Sequence, residues 1–237
     1  MPLKTSINYS PNFNRKKRSK KEIKFIIIHY TGMKSENRAI SRLCDVRSKV
    51  SCHYFIKKNG EIILMVPDIH IAWHAGISNW KKYKSLNKNS IGIEISNSGH
   101  NFKYKKFSKK QIFAIIKLSR FLKKKYNIKV KNFLGHSDIA PDRKIDPGEK
   151  FPWKYLSKKN ICIWHNLKKL KKKKLIFISQ LDKNYFLKKL NKFGYCVKYS
   201  NNNEFKKIVK NFQRRFRPEL VNGKLDYECL MIVKSLI

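Results

Sequence analysis

Residues 135–148, GHSDIAPDRKIDPG, bring an imidazole, a carboxylate and a lysine together in one short segment. His136 and Asp146 lie ten positions apart, and Lys144 precedes Asp146 by two. Because the prolines and the closing glycine forbid a long helix, the loop can fold back and bring the imidazole to the carboxylate. A catalytic zinc ion usually takes three protein ligands and keeps a fourth position for water. The segment therefore predicts two such ligands, and the rest of the chain must supply the third ligand and a general base.

Two predicted strands carry further candidates. Residues 25–28 form a continuous apolar run, which is typical of a strand buried on both faces, and His29 follows at its end. In residues 90–96 the isoleucines alternate with Gly92 and Glu94, so Glu94 projects from the face opposite the isoleucines. Taken alone, His29 fits a core or capping histidine as well as a ligand. Glu94 likewise fits either an exposed position or a base that lines a cleft.

The order of the predicted elements indicates an α/β fold with a mixed central β-sheet flanked by helices. Helical spacing of apolar residues occurs at residues 39–49 and again after Ser108, which is a suitable N-cap. Residues 53–66 predict a hairpin around an Asn-Gly turn. Residues 129–134 predict a short strand that delivers the loop with the two ligands.

Shifts in composition divide the chain into four predicted segments. They are a basic, weakly ordered arm at residues 1–22, an α/β catalytic domain at residues 23–158, a basic linker at residues 159–174 and a small helical bundle at residues 175–237. The helices of the bundle are expected near residues 184–193, 203–212 and 226–236.

The formal net charge of +41 at pH 7 dominates the surface. Such a field attracts polyanions and steers acidic substrates, which makes nucleic acid a partner to consider. The excess is carried mostly by lysine in a chain also rich in isoleucine and asparagine, as drift under a strong nucleotide bias would produce. The charge alone does not separate selection for a polyanionic partner from such drift.

The cysteines and the termini bear on where the protein works. The five cysteines form no CxxC motif and leave one thiol unpaired under full oxidation, which favours a reducing compartment. The N-terminus lacks the apolar run of about 7–15 residues that a secretory signal needs. No segment approaches the roughly 18 apolar residues of a membrane span. We therefore expect a cytoplasmic protein without a membrane span.

Five motifs, taken together and in this order, resemble the zinc-dependent N-acetylmuramoyl-L-alanine amidases of the AmpD and AmiD type. They are FIIIHYT at residues 25–31, HYFIKKNGEI at 53–62, AWHAG at 72–76, SIGIEI at 90–95 and GHSDIAPDRKIDPG at 135–148. The resemblance spans about residues 22–156 and implies the amidase type 2 fold. More faintly, residues 212–230 resemble the small helical peptidoglycan-binding domain that often follows such a catalytic domain. That bundle would hold the enzyme on peptidoglycan or shape one side of the groove.

The resemblance implies one zinc ion per chain, held by His29, His136 and Asp146. It matches Glu94 to the family's catalytic acid/base and Lys144 to its second catalytic residue. Glu94 would then move the proton of the attacking water to the leaving amine, and Lys144 would stabilise the developing oxyanion. The implied reaction is hydrolysis of the amide between N-acetylmuramic acid, or its anhydro form, and L-alanine of the peptidoglycan stem peptide.

Four more residues within the motifs are predicted to contribute to substrate binding. Trp73 and His74 would form a groove wall for the muramyl sugar or the stem peptide, although such a group can equally be a satellite hydrophobic cluster. His53 would be partly structural, and Asn97 lies in the turn after the strand that carries Glu94.

Two other functions come from different classes of protein. A relative that kept the fold without the metal would bind peptidoglycan without cutting it, but it would not need three ligands together with Glu94 and Lys144. A nucleic-acid-binding protein would use the lysine-rich surface, but the sequence carries no recognised nucleic-acid motif. We therefore expect peptidoglycan or a muropeptide as the partner, no specific nucleic acid, and a monomer.

Overall fold

The structure is a computed structural model that describes residues 3–167 and 178–237. Its strands are β1 (Ser6–Ile7), β2 (Phe13–Asn14), β3 (Phe25–Tyr30), β4 (Tyr54–Ile56), β5 (Ile62–Leu64), β6 (Ile71–Ala72), β7 (Asn79–Trp80), β8 (Tyr83–Lys84), β9 (Ser90–Ile95) and β10 (Phe133–Gly135). Its helices are α1 (Glu36–Cys44), α2 (Lys109–Tyr126), α3 (His136–Ile139), α4 (Trp153–Lys158), α5 (Gln180–Phe193), α6 (Asn202–Phe216) and α7 (Tyr227–Ser235). The charged run of the predicted linker, residues 168–174, lies outside the described residues.

A mixed six-stranded sheet has the order β1-β5-β4-β9-β3-β10. The neighbours β4, β9, β3 and β10 are parallel, whereas β5 is antiparallel to β4 and parallel to β1. The carboxyl ends of the four parallel strands therefore lie at one edge, where open α/β sheets hold their ligands. The predicted α/β class, with a mixed central sheet flanked by helices, is confirmed.

One face of the sheet packs against α2 and α4. Alternate residues of β3 and β9 point to this side, because successive side chains of a strand face opposite ways. Helix α2 begins where the sequence predicts: Ser108 accepts a hydrogen bond from the backbone N–H of Gln111, whose side chain in turn accepts from the Ser108 N–H. The buried residues on this side include Ile26, Ile28, Ile91, Ile93, Ile115, Leu118, Leu122 and Trp153.

The opposite face of β3 and β10 packs against the C-terminal helices. Phe25, Ile27 and Leu134 of the sheet belong to the same buried cluster as the apolar faces of α5, α6 and α7. The helical members of that cluster include Phe186, Leu190, Phe205, Phe212, Cys229 and Ile232. Residues 178–237, which contain α5, α6 and α7 and are called the C-terminal unit below, thus share their core with the sheet.

From residue 3 onward the N-terminal arm pairs with other strands and contributes buried side chains, while its weak order stays a prediction. Strand β1 pairs with β5 and β2 pairs with β6. Asn12 and Arg18 are almost fully buried and satisfy distant backbone carbonyls. Asn12 Nδ2 donates to the carbonyls of Asp45 and Val50, and Arg18 Nη1 donates to those of Asn87, Lys88 and Ser90.

Several element boundaries differ from the prediction. Helix α1 ends at Cys44 because Asp45 caps a separate helical turn, Val46–Ser48. Strand β10 begins only at Phe133, since residues Val130–Asn132 form another such turn. Among residues 3–167 and 178–237, no helix has the length and apolar character that a membrane span requires.

Candidate metal centre and active-site cleft

Three residues from two parallel strand ends and the following loop converge at the carboxyl edge of the sheet. His29 lies near the end of β3, and His136 follows β10 directly. His29 Nδ1 lies 3.0 Å from His136 Nδ1 and 3.2 Å from Asp146 Oδ2, and the latter two atoms are 3.1 Å apart. All three side chains are buried. The structure therefore brings together the three predicted ligands.

The donor set fits zinc in both chemistry and size. Zinc takes nitrogen and oxygen ligands at about 2.0–2.2 Å, and a tetrahedron of that size has ligand-to-ligand edges of about 3.3–3.6 Å. The observed edges of 3.0 to 3.2 Å lie just below that range. Two imidazoles and one carboxylate leave one tetrahedral position for water or substrate, as catalytic zinc sites do.

A chain of hydrogen bonds sets the tautomer of His29. The Ser90 hydroxyl donates to the Leu86 carbonyl at 2.6 Å, so its oxygen is free to accept from His74 Nε2 at 3.2 Å. His74 Nδ1 then accepts from His29 Nε2 at 3.0 Å. Because Nε2 of His29 is the donor, its Nδ1 carries the lone pair, and this lone pair points at His136 and Asp146. A metal requires an imidazole in this state.

His136 is held in the matching tautomer by the backbone. Its Nε2 lies 3.2 Å from the carbonyl oxygen of Ala75, which can only accept. In the neutral ring the proton therefore lies on Nε2, and Nδ1 carries the lone pair. A carbonyl behind a ligand imidazole is a usual outer partner in zinc sites.

Gly92 makes room for His74 on the sheet. A Cβ atom at this position would lie 2.4 Å from Cγ of His74, closer than side chains approach. The glycine of the SIGIEI motif thus lets the imidazole lie flat over β9 and reach both Ser90 and His29.

Burial and mutual contact adjust the ionisation of the ligands. Burial, with the nearby His136 imidazole, lowers the pKa of His29 to about 4, which keeps it neutral. Burial alone would raise the pKa of Asp146, but its contacts with His136 and His29 outweigh this and lower the pKa far below the usual range. A neutral His29 imidazole beside an ionised Asp146 carboxylate is the protonation state that binds zinc.

Glu94 and Lys144 line the same cleft as the ligands, which has a volume of about 290 Å³. The Cα of Glu94 on β9 pairs in register with that of His29 on β3, so both side chains rise from the same face. Burial, followed by the charge of Asp146, raises the pKa of Glu94 well above its ordinary value, while the positive charge of Lys144 opposes the rise. A raised pKa is a common property of carboxylates that act as acid and base.

The four predicted substrate-binding residues divide into two pairs. Trp73 and His74 line the cleft, and Trp73 Nε1 donates to Asn14 Oδ1 of the N-terminal arm at 2.8 Å. His53 is fully buried beside β9, and its Nδ1 accepts from the Gly92 N–H at 3.0 Å. Asn97 is buried in the turn after β9, where its amide donates to the Lys105 carbonyl at 2.9 Å. A substrate contact by any of the four stays a prediction.

Sequence reasoning missed several residues around the site. Arg42 of α1 adds a cation to the cleft wall, but on a surface helix it has the same signature as any solvated arginine. Asn211 and Arg215 of the C-terminal unit contact residues 135–148, the loop that carries His136 and Asp146 and is called the ligand loop below. The position of Asn211 on the buried side of an amphipathic helix was a usable signal, because a polar residue there needs a partner.

Comparison with known proteins gives a consistent picture. The family model described as Amidase_2, N-acetylmuramoyl-L-alanine amidase, matches residues 19–149. The N-acetylmuramoyl-L-alanine amidase AmiD of Escherichia coli (strain K12) is 35% identical over 234 residues, which cover 91% of this chain and 82% of that protein.

Two solved structures extend the likeness over almost the whole chain. The complex of Escherichia coli AmiD with the substrate anhydro-N-acetylmuramic acid-L-Ala-D-gamma-Glu-L-Lys has a TM-score of 0.81 at 34% identity, covering 91% of this chain and 88% of that one. AmpDh3 from Pseudomonas aeruginosa in complex with anhydromuramic pentapeptide has a TM-score of 0.77 at 27% identity, covering 95% of each chain.

Proposed function

The chain belongs to the N-acetylmuramoyl-L-alanine amidase family, and we propose that it cleaves its substrate with a zinc ion held by His29, His136 and Asp146. The reaction is hydrolysis of the amide bond between N-acetylmuramic acid, or its anhydro form, and the L-alanine of the stem peptide. The observation that carries the metal assignment is the triangle of two imidazole nitrogens and one carboxylate oxygen, with edges close to those of a zinc tetrahedron.

The residues around the metal divide the chemical work. A zinc ion supplies Lewis acidity, which lowers the pKa of water and polarises a carbonyl group. Glu94 takes the proton of the attacking water and delivers it to the leaving amine. Lys144 stabilises the negative charge that develops on the carbonyl oxygen of the tetrahedral intermediate. His74 and the Ala75 carbonyl hold the two imidazoles in the required tautomer.

The substrate is a peptidoglycan fragment with an acidic stem peptide. Both similar solved structures described above hold an anhydromuramyl peptide, which supports this class of ligand. Arg42 and Lys144 supply positive charge to the cleft, and Trp73 offers an aromatic wall for a sugar ring or an apolar side chain. The monomeric state and the cytoplasmic location expected from the sequence stay predictions.

Product analysis tests the proposal. The zinc-loaded protein is incubated with anhydro-N-acetylmuramyl tripeptide, and mass spectrometry should find anhydro-N-acetylmuramic acid and the free tripeptide. A chelator should stop the reaction, and added zinc should restore it. A protein that binds this ligand and releases neither product would instead be a peptidoglycan-binding relative without catalysis, and the proposal would fail.

A further inference from the structure

Helix α6 of the C-terminal unit reaches into the loop that carries the ligands. Asn211 is 2% exposed, and its Nδ2 donates to the carbonyl of Pro141 at 2.6 Å and to the carbonyl of Lys144 at 2.8 Å. One buried amide therefore binds two backbone carbonyls of the loop, and one of them belongs to Lys144, whose side chain lines the cleft. Its own Oδ1 accepts from Arg214 Nη1 at 2.8 Å, which fixes the orientation of the amide.

One turn further along α6, Arg215 holds the start of the same loop. Arg215 Nη1 lies 3.1 Å from Asp138 Oδ2, and both side chains are almost fully buried. Asp138 also accepts from the Tyr195 hydroxyl at 2.5 Å and from the Gly135 N–H at 2.7 Å. The guanidinium stacks on the ring of Trp153, with Cζ 3.7 Å from the ring centroid. The start of the loop is thus anchored by residues of the C-terminal helices.

Within the loop, backbone N–H groups donate to backbone carbonyls from Ser137 to Asp146, from Ala140 to His136, and from Arg143 and Lys144 to Ala140. The Arg143 side chain also donates to the carbonyls of Ala75 and Ile77. These bonds leave the carbonyls of Pro141 and Lys144 to a neighbour, and side chains that carry out chemistry need such support from packed neighbours. A misplacement of about 1 Å at a catalytic group can cost a factor of about 100 in rate, so this support matters for the reaction.

We propose that α6 positions the ligand loop, which makes the C-terminal unit part of the catalytic apparatus as well as a covering of the sheet. Asn211 is a positioning residue: through two backbone carbonyls it fixes Lys144 in the cleft and Asp146 against the two imidazoles. The inference rests on the proposed function for the roles of Lys144 and the zinc site. The new element is that Lys144 and the zinc ligands depend on Asn211, which lies in the C-terminal unit, 65 positions after Asp146.

The test uses the full chain with Asn211→Leu, which keeps the approximate shape and removes both donated hydrogen bonds. We expect its affinity for zinc, measured by chelator competition, to fall by about tenfold. At saturating zinc, kcat for the anhydromuramyl tripeptide should also fall by about tenfold. KM should stay within about twofold of the native value, because the side chains that line the cleft and contact the substrate are unchanged. Asn211→Ser, too short to reach both carbonyls, should change zinc affinity and kcat in the same direction and serves if the leucine variant does not fold.

The matched control is Gln213→Met, two residues along the same helix. Gln213 is fully buried and also holds backbone, but its partners are Asn222, Gly223 and Lys224 of the C-terminal unit itself. This variant should lower Tm and leave zinc affinity and kcat within about twofold of native values. The proposal is overturned if Asn211→Leu and Asn211→Ser keep native zinc affinity and kcat, or if Gln213→Met lowers both as much as they do. If the native chain binds zinc but cleaves no muropeptide, the proposed function fails, while the zinc affinities still decide the role of Asn211.

Discussion

At the scale of single residues, His74 links the sheet to the metal site. It accepts from His29 Nε2 and donates to Ser90, in a space that Gly92 leaves free. The sequence identifies His74 as part of a motif but not as a partner of a ligand, because the contact depends on the register between loop and sheet. A role in holding His29 and a place in the cleft wall are compatible, since the same ring contributes to both.

Replacement of His74 by alanine should weaken zinc binding by about 10 to 100-fold, the usual effect of losing an outer partner of a ligand. His74→Asn, whose amide oxygen can accept in place of Nδ1, should recover part of the affinity. Chelator competition measures all three proteins. The control is His165→Ala, which removes a histidine whose Nε2 bonds to the Phe216 carbonyl away from the cleft. Native zinc affinity in His74→Ala would contradict the assignment.

Glu94 should matter for rate and not for metal binding. Glu94→Gln keeps the size of the side chain but cannot accept the proton of water, so kcat should fall by about 10² to 10⁴-fold. Zinc affinity should stay within about threefold of native, because Glu94 is not one of the three clustered ligand residues. The control Glu61→Gln, at the hairpin turn, should leave kcat unchanged. A Glu94→Gln protein with native kcat would remove the assignment of the base.

At the scale of elements, the long strands β3 and β9 and the ligand loop can be predicted from sequence patterns, but the two short strands of the N-terminal arm cannot. Periodicity reveals β3 and β9 because six-residue strands of alternating or continuous apolar character are distinctive. β1 and β2 are two residues long and have no period to detect. The arm also contributes buried side chains such as Arg18, whose partners lie 35 or more positions away. Such long-range polar contacts leave no local signal.

Asp68 connects the N-terminal arm to helix α2, and its ionisation predicts how the stability of the fold depends on pH. Its carboxylate accepts from Lys125 at 2.8 Å and Tyr126 at 2.6 Å, and its carbonyl accepts from Arg18 at 3.0 Å. Burial would raise the pKa of Asp68, but the hydrogen bonds outweigh it and the pKa is lowered. A lowered pKa means that the ionised form stabilises the fold above the unfolded pKa of about 3.9, and that this stability is lost as pH falls further.

Asp68→Asn should therefore reduce the free energy of unfolding by about 1 to 3 kcal/mol at pH 7. The difference from the native protein should narrow below about pH 4, where the native carboxylate also becomes protonated. Urea unfolding at a series of pH values measures this. Asp45→Asn, at an exposed pair with Arg47, should leave the free energy of unfolding close to that of the native protein at each pH. A constant difference from pH 7 to pH 3 would contradict the prediction.

At the scale of the whole molecule, the sequence indicates three amphipathic C-terminal helices but not what they cover. An amphipathic pattern says that one face is buried, and it does not identify the partner. The structure supplies the answer: the helices share a core with Phe25, Ile27 and Leu134 of the sheet. The division into a catalytic domain, a linker and a helical bundle stays a prediction, and in the described residues the helices and the sheet contribute to one buried cluster.

The net charge of +41 is also a property of the whole molecule, and it should act on substrate capture. We expect kcat/KM for an acidic muropeptide to fall several-fold as salt rises from about 0.05 M to about 0.5 M, because screening weakens long-range attraction. A muropeptide with amidated carboxyl groups is the matched control and should respond much less. Equal salt dependence for the two substrates would show that the charge does not steer the substrate.

We propose that one zinc ion on His29, His136 and Asp146 makes this chain an amidase, and a zinc titration of the metal-free protein tests this most directly. Hydrolysis of the anhydromuramyl tripeptide should rise linearly and level off at one zinc per chain. Asp146→Asn should bind zinc far more weakly and stay inactive across the titration, while Asp142→Asn, an exposed acid of the same loop, should behave as the native chain does. Full activity without metal, or a native titration curve for Asp146→Asn, would contradict the account.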